Sequence, residues 1–294
     1  MPATIIVVQS IGQLGNRLAQ FSHLIALAKA KGCRILNPAF WKYAPLFPAT
    51  RQNLFCSFPE QQSNWVQNWM QALVYYLLRL SFSLGILNWV PNSFVFKKDW
   101  RDGPTAIDSE AFTEIVKKFR IVFLVGSYKH KHLRGFALSW PSVRTFFRIS
   151  EERRSKIKLH LKSLRDSSDI LIGVHLRQGD VFTDPVRRDG LDQSVYAQKL
   201  AEFLLIFPEK NVSFLICSNE PIRKALFSTY NHKLGLGDFL DDLYSLAECD
   251  YLLGAGQSSF SLWASKIGSV PRAALFRGQD SNLKLNDFQL DFSE

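Results

Sequence analysis

His175 and Arg177 stand two residues apart at the end of an aliphatic run, Asp169-Ile170-Leu171-Ile172-Gly173-Val174-His175-Leu176-Arg177-Gln178-Gly179-Asp180. An imidazole can donate, accept or titrate. A guanidinium carries a permanent charge on a planar fork that fits phosphate oxygens. The run reads as a buried strand, and alternation along a strand sends both side chains to the same side. In open α/β sheets ligands gather outside the carboxyl ends of the strands, which is where this pair falls. The chemistry on offer is recognition of an anion, with diphosphate oxygens the natural fit for the arginine. The plainer alternative is a strand running into a solvated loop, with an arginine for solubility.

Two other stretches carry the same kind of chemistry. After an opening apolar run, Thr4 to Val8, comes Gln9-Ser10-Ile11-Gly12-Gln13-Leu14-Gly15-Asn16-Arg17, leading into a helical pattern that stops at Lys31-Gly32. Gly12 and Gly15 would let backbone N–H groups approach a ligand, and the helix amino terminus adds a positive dipole. The spacing is not GxGxxG and no acid is placed for a ribose, so a dinucleotide site is not expected. Asn16 could cap the helix or orient a ligand. Further on, Gly256-Gln257-Ser258-Ser259-Phe260-Ser261 reads as a turn into a helix: either a ready anion site or an ordinary helix cap. Asp250, just before the preceding strand, could meet a base edge or cap the strand.

The elements that must position these groups alternate strand and helix, which implies parallel, doubly wound sheets. Expected strands are Thr4 to Val8, Cys33 to Leu36, Ile121 to Val125, the run bounded by Asp169 and the Gly179-Asp180 turn, Val212 to Cys217 and Tyr251 to Gly254, with helices between them. Ser218-Asn219-Glu220-Pro221 is expected to open a helix with proline near its start. Ser150 to Arg165 has an N-cap serine, early glutamates and apolar residues at Ile157, Leu161 and Leu164, a helix placed at the end of a first domain, 1–165. A second domain, 166–294, follows, its tail a candidate to return to the first. Residues 37–101 are aromatic-rich, proline-interrupted and yield few clean elements.

Bulk composition narrows the class. The chain has 294 residues, 47% of them hydrophobic and 21% charged, which describes a folded globular protein. Its four cysteines show no CxxC pairing, so reduced, cytoplasmic thiols are expected rather than a disulfide or zinc framework. Met1-Pro2-Ala3, ahead of the first strand, holds no basic run, so a secretion signal is not expected. The apolar tract Ala72 to Val90 holds Arg79 and Asn88 and reads as a buried or partly interfacial helix rather than a membrane span. Fourteen Lys or Arg against two Glu between Lys117 and Arg165 suit an anionic partner or simply a solvated helix face. No nucleic-acid motif accompanies them, so no nucleic-acid partner is expected.

The three islands together, Gly12 to Asn16, His175 to Asp180 (HxRxGD) and Cys249 to Ser261, resemble in type and order the fucosyltransferase superfamily: the α-1,2- and α-1,6-fucosyltransferases and the protein O-fucosyltransferases. That resemblance implies a GT-B fold, two Rossmann-like domains facing across a cleft, and an inverting reaction without metal. The donor would be GDP-fucose or a related GDP-sugar, and the acceptor a glycan or lipid-linked glycan; the basic block and the Ala72 to Val90 tract, independently of the resemblance, suit peripheral contact with the cytoplasmic face of a membrane. By the same resemblance Arg177 stabilises the leaving diphosphate, His175 contacts the nucleotide, Asp250 the guanine edge, and Ser258, Ser259 and Phe260 the phosphates. Asn16 faces the reaction centre from the glycine loop of Gly12 and Gly15. Ser218 belongs to the donor side, although Ser218-Asn219-Glu220 replaces the acidic pattern common there. Arg17 stands where Gln is common. No carboxylate is clearly placed as a general base, Asp180 and Glu220 being candidates by position only. A glycan- or anion-binding protein on a degenerate transferase fold is the non-catalytic alternative.

Overall fold

The computed structural model describes residues 2–9, 11–98, 103–131, 133–178, 190–256, 258–278 and 281–290. The chain divides into two compact units, Met1–Ser150 and Glu151–Glu294.

The first unit is built on a parallel sheet of β1 (Thr4–Val7), β2 (Arg34–Leu36), β3 (Ser93–Lys97) and β5 (Ile121–Val125), in the order β2-β1-β5-β3. Two short strands, β4 (Thr105–Ala106) and β6 (Tyr128–Lys129), pair separately. Helix α1 (Leu14–Lys31) buries Leu18, Phe21, Leu24 and Ile25, the heptad-like stripe its sequence shows, and stops at Gly32 with φ of 66°. The stretch that sequence leaves irregular contains a 3₁₀ segment over Pro38–Leu46, the short helix α2 (Pro48–Arg51), helix α3 (Asn68–Ser83) and a 3₁₀ turn over Ile86–Trp89. Prolines at 38, 45 and 48 keep the first of these in short turns. Helices α4 (Glu110–Lys118), α5 (Leu133–Leu138) and α6 (Trp140–Phe146) complete the unit.

Helix α7 (Glu151–Ser167) opens the second unit rather than closing the first, so the expected boundary at 165/166 moves to 150/151. The reason is its buried face. Ile157, Leu161 and Leu164 pack on the second sheet, each contributing about 1.5–3 kcal/mol of apolar burial. Its cations face the same unit: Arg153 and Lys156 pair with the buried Asp241, and Arg165 with Asp250 at 2.6 Å. Part of the basic block is thereby neutralised within the fold.

The second sheet is also wholly parallel: β7 (Ile170–Leu176), β8 (Val212–Ser218), β9 (His232–Leu234), β10 (Tyr251–Ala255) and β11 (Arg272–Leu275), in the order β11-β10-β7-β8-β9. Buried on both faces, β7 and β8 are continuous apolar runs, as parallel strands should be. Helices α8 (Gln193–Ile206), α9 (Phe239–Leu246) and α10 (Ser259–Gly268) cross between strands. No helix opens at Pro221. The Gln193 side chain donates to the Pro221 carbonyl and accepts from Arg223 N–H, holding that segment extended until a 3₁₀ turn at Lys224–Leu226. The tail stays on this unit through residue 290: Phe288 packs on Phe203 and Tyr251, and Gln289 bridges Arg272. Both sheets match the expected α/β, doubly wound architecture.

Candidate functional site

β7 is the central strand of its sheet, and His175 sits at its carboxyl end between Gly254 of β10 and Cys217 of β8. A Cβ at Gly254 would stand 2.7 Å from Ser261 Oγ, so only glycine lets helix α10 close onto the strand beside His175. The His175 ring is 8% exposed, stacks on Phe260 with centroids 4.8 Å apart, and meets Ser258 Oγ through Nδ1 at 3.2 Å. Burial, then the charges of Arg177 and Arg272, depress its pKa from 6.5 to about 3, so the imidazole is neutral at ordinary pH. Ser258 Oγ already accepts from Ser261 N–H at 3.5 Å as the α10 cap. Its own proton is best satisfied on His175 Nδ1, which leaves Nε2–H as the donor tautomer.

Ser258 thus spends its hydroxyl on His175, and the donors left to a ligand are backbone ones. The N–H groups of Ser259 and Phe260, in the first turn of α10, have no acceptor among the described residues. Helix dipole and orphan N–H groups together favour an anion there. Arg272 fixes the turn from below: buried, it donates from Nη2 to the carbonyls of Ala255 and Gly256, both at 2.9 Å, and from Nε to Ser261 Oγ at 3.2 Å. Arg177, half-buried, follows β7 directly. The backbone beside it is held by Asn219, which accepts from Gln178 N–H at 2.9 Å and donates to Gln178 O at 3.0 Å, so one amide side chain lengthens the β7–β8 ladder. Gln178 Nε2 in turn donates to the carbonyls of Arg177 and Leu191. The arrangement can hold a diphosphate between a fixed cation, a neutral imidazole and a helix terminus.

No protein-family model matches the chain, and no curated protein matches it in sequence. Solved structures do match its fold. An Arabidopsis thaliana FUT1 mutant in complex with GDP aligns over 98% of this chain and 74% of its own, with TM-score 0.61 and 14% identity. The fold is that of the fucosyltransferases. NodZ α-1,6-fucosyltransferase soaked with GDP-fucose aligns over 97% of both chains with TM-score 0.54 and 12% identity. POFUT1 in complex with GDP aligns over 94% of this chain and 98% of its own, with TM-score 0.51 and 14% identity. A fucosyltransferase fold places this chain in the GT-B class expected from its three islands.

Within that fucosyltransferase fold the structure gathers His175, Arg177, Ser218, Ser258, Ser259 and Phe260 at the carboxyl edge of the second sheet. Ser218 ends β8, its Oγ accepting from the exposed Glu220 N–H at 3.2 Å. Asp250 is not among them, which corrects its expected contact with a guanine edge. It precedes β10 at the amino end of the sheet, where its Oδ2 accepts from Leu171 N–H at 2.8 Å and Arg165 Nη1 at 2.6 Å. A carboxylate already engaged there staples two strands and α7. Gly179, Asp180 and Gln257 lie outside the described residues. Among the described residues no group of three or more His, Cys, Asp or Glu could hold a metal ion.

In the first unit Gly12 is the conformational pivot, with φ of 73°, and a Cβ there would sit 2.2 Å from Asn16 Nδ2. Gly15 is buried inside α1 rather than lying in the loop. Asn16 is not the cap: Gln13 occupies that position, with no side-chain hydrogen bond. Asn16 lies half-buried against Gly12, and its amide makes no hydrogen bond among the described residues. Arg17 is structural here: Nε donates to Gly12 O at 2.9 Å, Nη1 to Ala39 O at 3.0 Å, and the guanidinium lies 5.1 Å over Tyr43. Beside it lies a small open recess lined by Gln9, Gln20, Asn37 and Phe40. Arg272 and the Asn219 clamp were not foreseen from sequence. An arginine inside the Pro271-Arg272-Ala273-Ala274-Leu275 run was the one available signal, since an unmatched cation in an apolar strand must find acceptors.

Proposed function

We propose that the protein is an inverting, metal-independent glycosyltransferase that moves fucose from GDP-fucose to a hydroxyl of a glycan or lipid-linked glycan. The observation that carries the reading is the neutral His175, locked between Ser258 and Phe260 beside Arg177 and the free N–H groups of α10. GDP or GDP-fucose is the molecule held by the similarly folded FUT1, POFUT1 and NodZ structures, which supports the same donor here. As the glycosidic bond breaks, negative charge grows on the leaving GDP. Arg177 supplies a fixed cation and α10 its dipole and backbone donors, the kind of preorganised stabilisation that accounts for about 10²–10³ in rate per donor. His175, being neutral, donates Nε2–H without adding charge. We assign the acceptor side to the glycine loop with Gly12 and Asn16, whose uncommitted amide suits a sugar hydroxyl. The four buried, unpaired cysteines suit the cytoplasm, where we place the reaction.

Asn219, which departs from the acidic pattern of the resemblance, has a structural role in clamping Gln178 and is no sign of lost activity. The test is calorimetric titration, in chelator, with GDP, GDP-fucose, GDP-mannose, UDP and NAD, repeated on Arg177→Ala. Guanine-selective binding is expected, weakened about tenfold or more in the variant, as loss of a charge-assisted phosphate contact requires. Equal affinity for GDP-mannose and GDP-fucose would widen the donor class to other GDP-sugars. A folded protein that binds no guanine nucleotide would sink the transferase reading.

A further inference from the structure

Helix α3 has its polarity turned inside out. Its one fully buried residue is Gln71, whose Nε2 donates to the carbonyls of Thr50 and Asn53 at 2.8 and 2.9 Å. Leu78 and Phe82 on the same side pack on the cluster of Val8 and Phe123. The opposite side carries Trp69, Leu73, Tyr76, Leu77, Leu80 and Leu84, spaced as one helical stripe and each 49–65% exposed. A solvated helix presents polar residues on that side. Contiguous exposed apolar surface of this kind marks an interaction site.

We propose that this face docks the protein onto an anionic lipid surface, with α3 lying in the plane of the interface. Three observations select lipid as the occupant. Trp65 and Trp69 stand at one end of the stripe and Trp89, 86% exposed, beyond the other. None of these three indoles meets another ring among the described residues. Amphipathic indoles at the margins of an aliphatic stripe fit the headgroup boundary of a bilayer. The charge is one-sided: between Glu60 and Asp99 the sequence holds Arg79, Lys97 and Lys98 and no acid. A second copy of the chain would bring these cations together unanswered, whereas anionic headgroups complement them. Finally, α3, with 16 residues and a length of about 24 Å, carries its whole exposed apolar stripe along one side, as a helix lying in the plane of an interface does. The inference goes beyond the transferase reading and does not depend on it, because it is tested without nucleotide.

The experiment is flotation of the full chain with phosphatidylcholine vesicles and with phosphatidylcholine/phosphatidylglycerol vesicles, alongside Leu73→Glu/Leu77→Glu. Both leucines are about half exposed, so circular dichroism and melting temperature should be unchanged in the variant. The wild type should float with the anionic vesicles, its indole emission shifted to the blue, and partition should fall about tenfold or more in the variant. Failure of the wild type to float with either vesicle would overturn the proposal. So would equal flotation of the variant, or sedimentation showing wild-type self-association that the variant abolishes.

Discussion

Each unit contains a strand, a turn and a helix whose turn is held by an arginine, and the two arginines do this differently. Arg17 reaches Gly12 O and Ala39 O from a half-exposed position and rests on Tyr43. Arg272 is buried and takes Ala255 O, Gly256 O and Ser261 Oγ at once. The turn of the first unit needs a positive φ at Gly12 and leads to a helix without a side-chain cap, whereas the second leads to a helix capped by Ser258. The difference is one of preorganisation. A turn that must present N–H groups to a diphosphate is fixed before the ligand arrives, and a turn on the side we assign to the acceptor is left adjustable.

Breaking the two arginines should show this most plainly. Arg272→Leu removes a buried cation together with its hydrogen bonds to Ala255 O, Gly256 O and Ser261 Oγ and should cost about 3–5 kcal/mol in urea unfolding, whereas Arg17→Leu should cost about 1 kcal/mol or less. Equal losses would remove the distinction.

The histidines sharpen it. Burial, Arg177 and Arg272 all push His175 down, while the buried His130 of the first unit, also lowered by burial, is partly restored by Asp108. The unfolded chain therefore takes up a proton that folded His175 refuses. Stability should be fully present above pH 6.5 and fall as pH drops toward about 3, by roughly 2–4 kcal/mol from this group. In His175→Gln that acid limb should flatten, and a limb as steep as that of the wild type would show that His175 is not the group responsible.

Caps offer a smaller contrast. Ser258→Ala should destabilise by about 1–2 kcal/mol, and Gln13→Asp should stabilise by about 1 kcal/mol, since only the second adds a missing cap. Thermal melting decides both. Smallest of all, Asp250→Ala should cost about 1 kcal/mol or less in stability, given a carboxylate more than a third exposed. GDP affinity in that variant should stay within about twofold of wild type, because the residue lies at the far end of the sheet from His175. A large loss of GDP binding would restore the guanine contact that the sequence suggested.

What could be read from sequence was what is local. The run from Ile170 to Leu176 announces a buried strand, and small residues from Gly256 to Ser261 announce a turn into a helix, so His175, Arg177 and Ser258 were found together. Partnerships between distant segments were not readable. Asn219 looks like a lost acid until Gln178, 41 residues away, is seen against it, and Arg272 finds its carbonyls 16 and 17 residues back. Asp250 misled because an acid beside a strand looks equally suited to a ligand or to a neighbouring N–H. Helix α7 belongs to the second unit and not, as sequence suggests, to the first, because its own periodicity says which face is buried and nothing about which sheet buries it. The stretch from 37 to 101 resisted reading because α3 inverts the pattern on which such reading depends.

The four thiols are distributed two to a unit, Cys33 and Cys56 in the first and Cys217 and Cys249 in the second, each no more than 5% exposed. Burial raises the pKa of every one of them, that of Cys33 to about 11. Alkylating reagents therefore reach them only when the surrounding unit opens. The chain carries a pair of internal clocks, and the order in which the two pairs become labelled in mild denaturant will tell whether the halves of the molecule open as one or in turn.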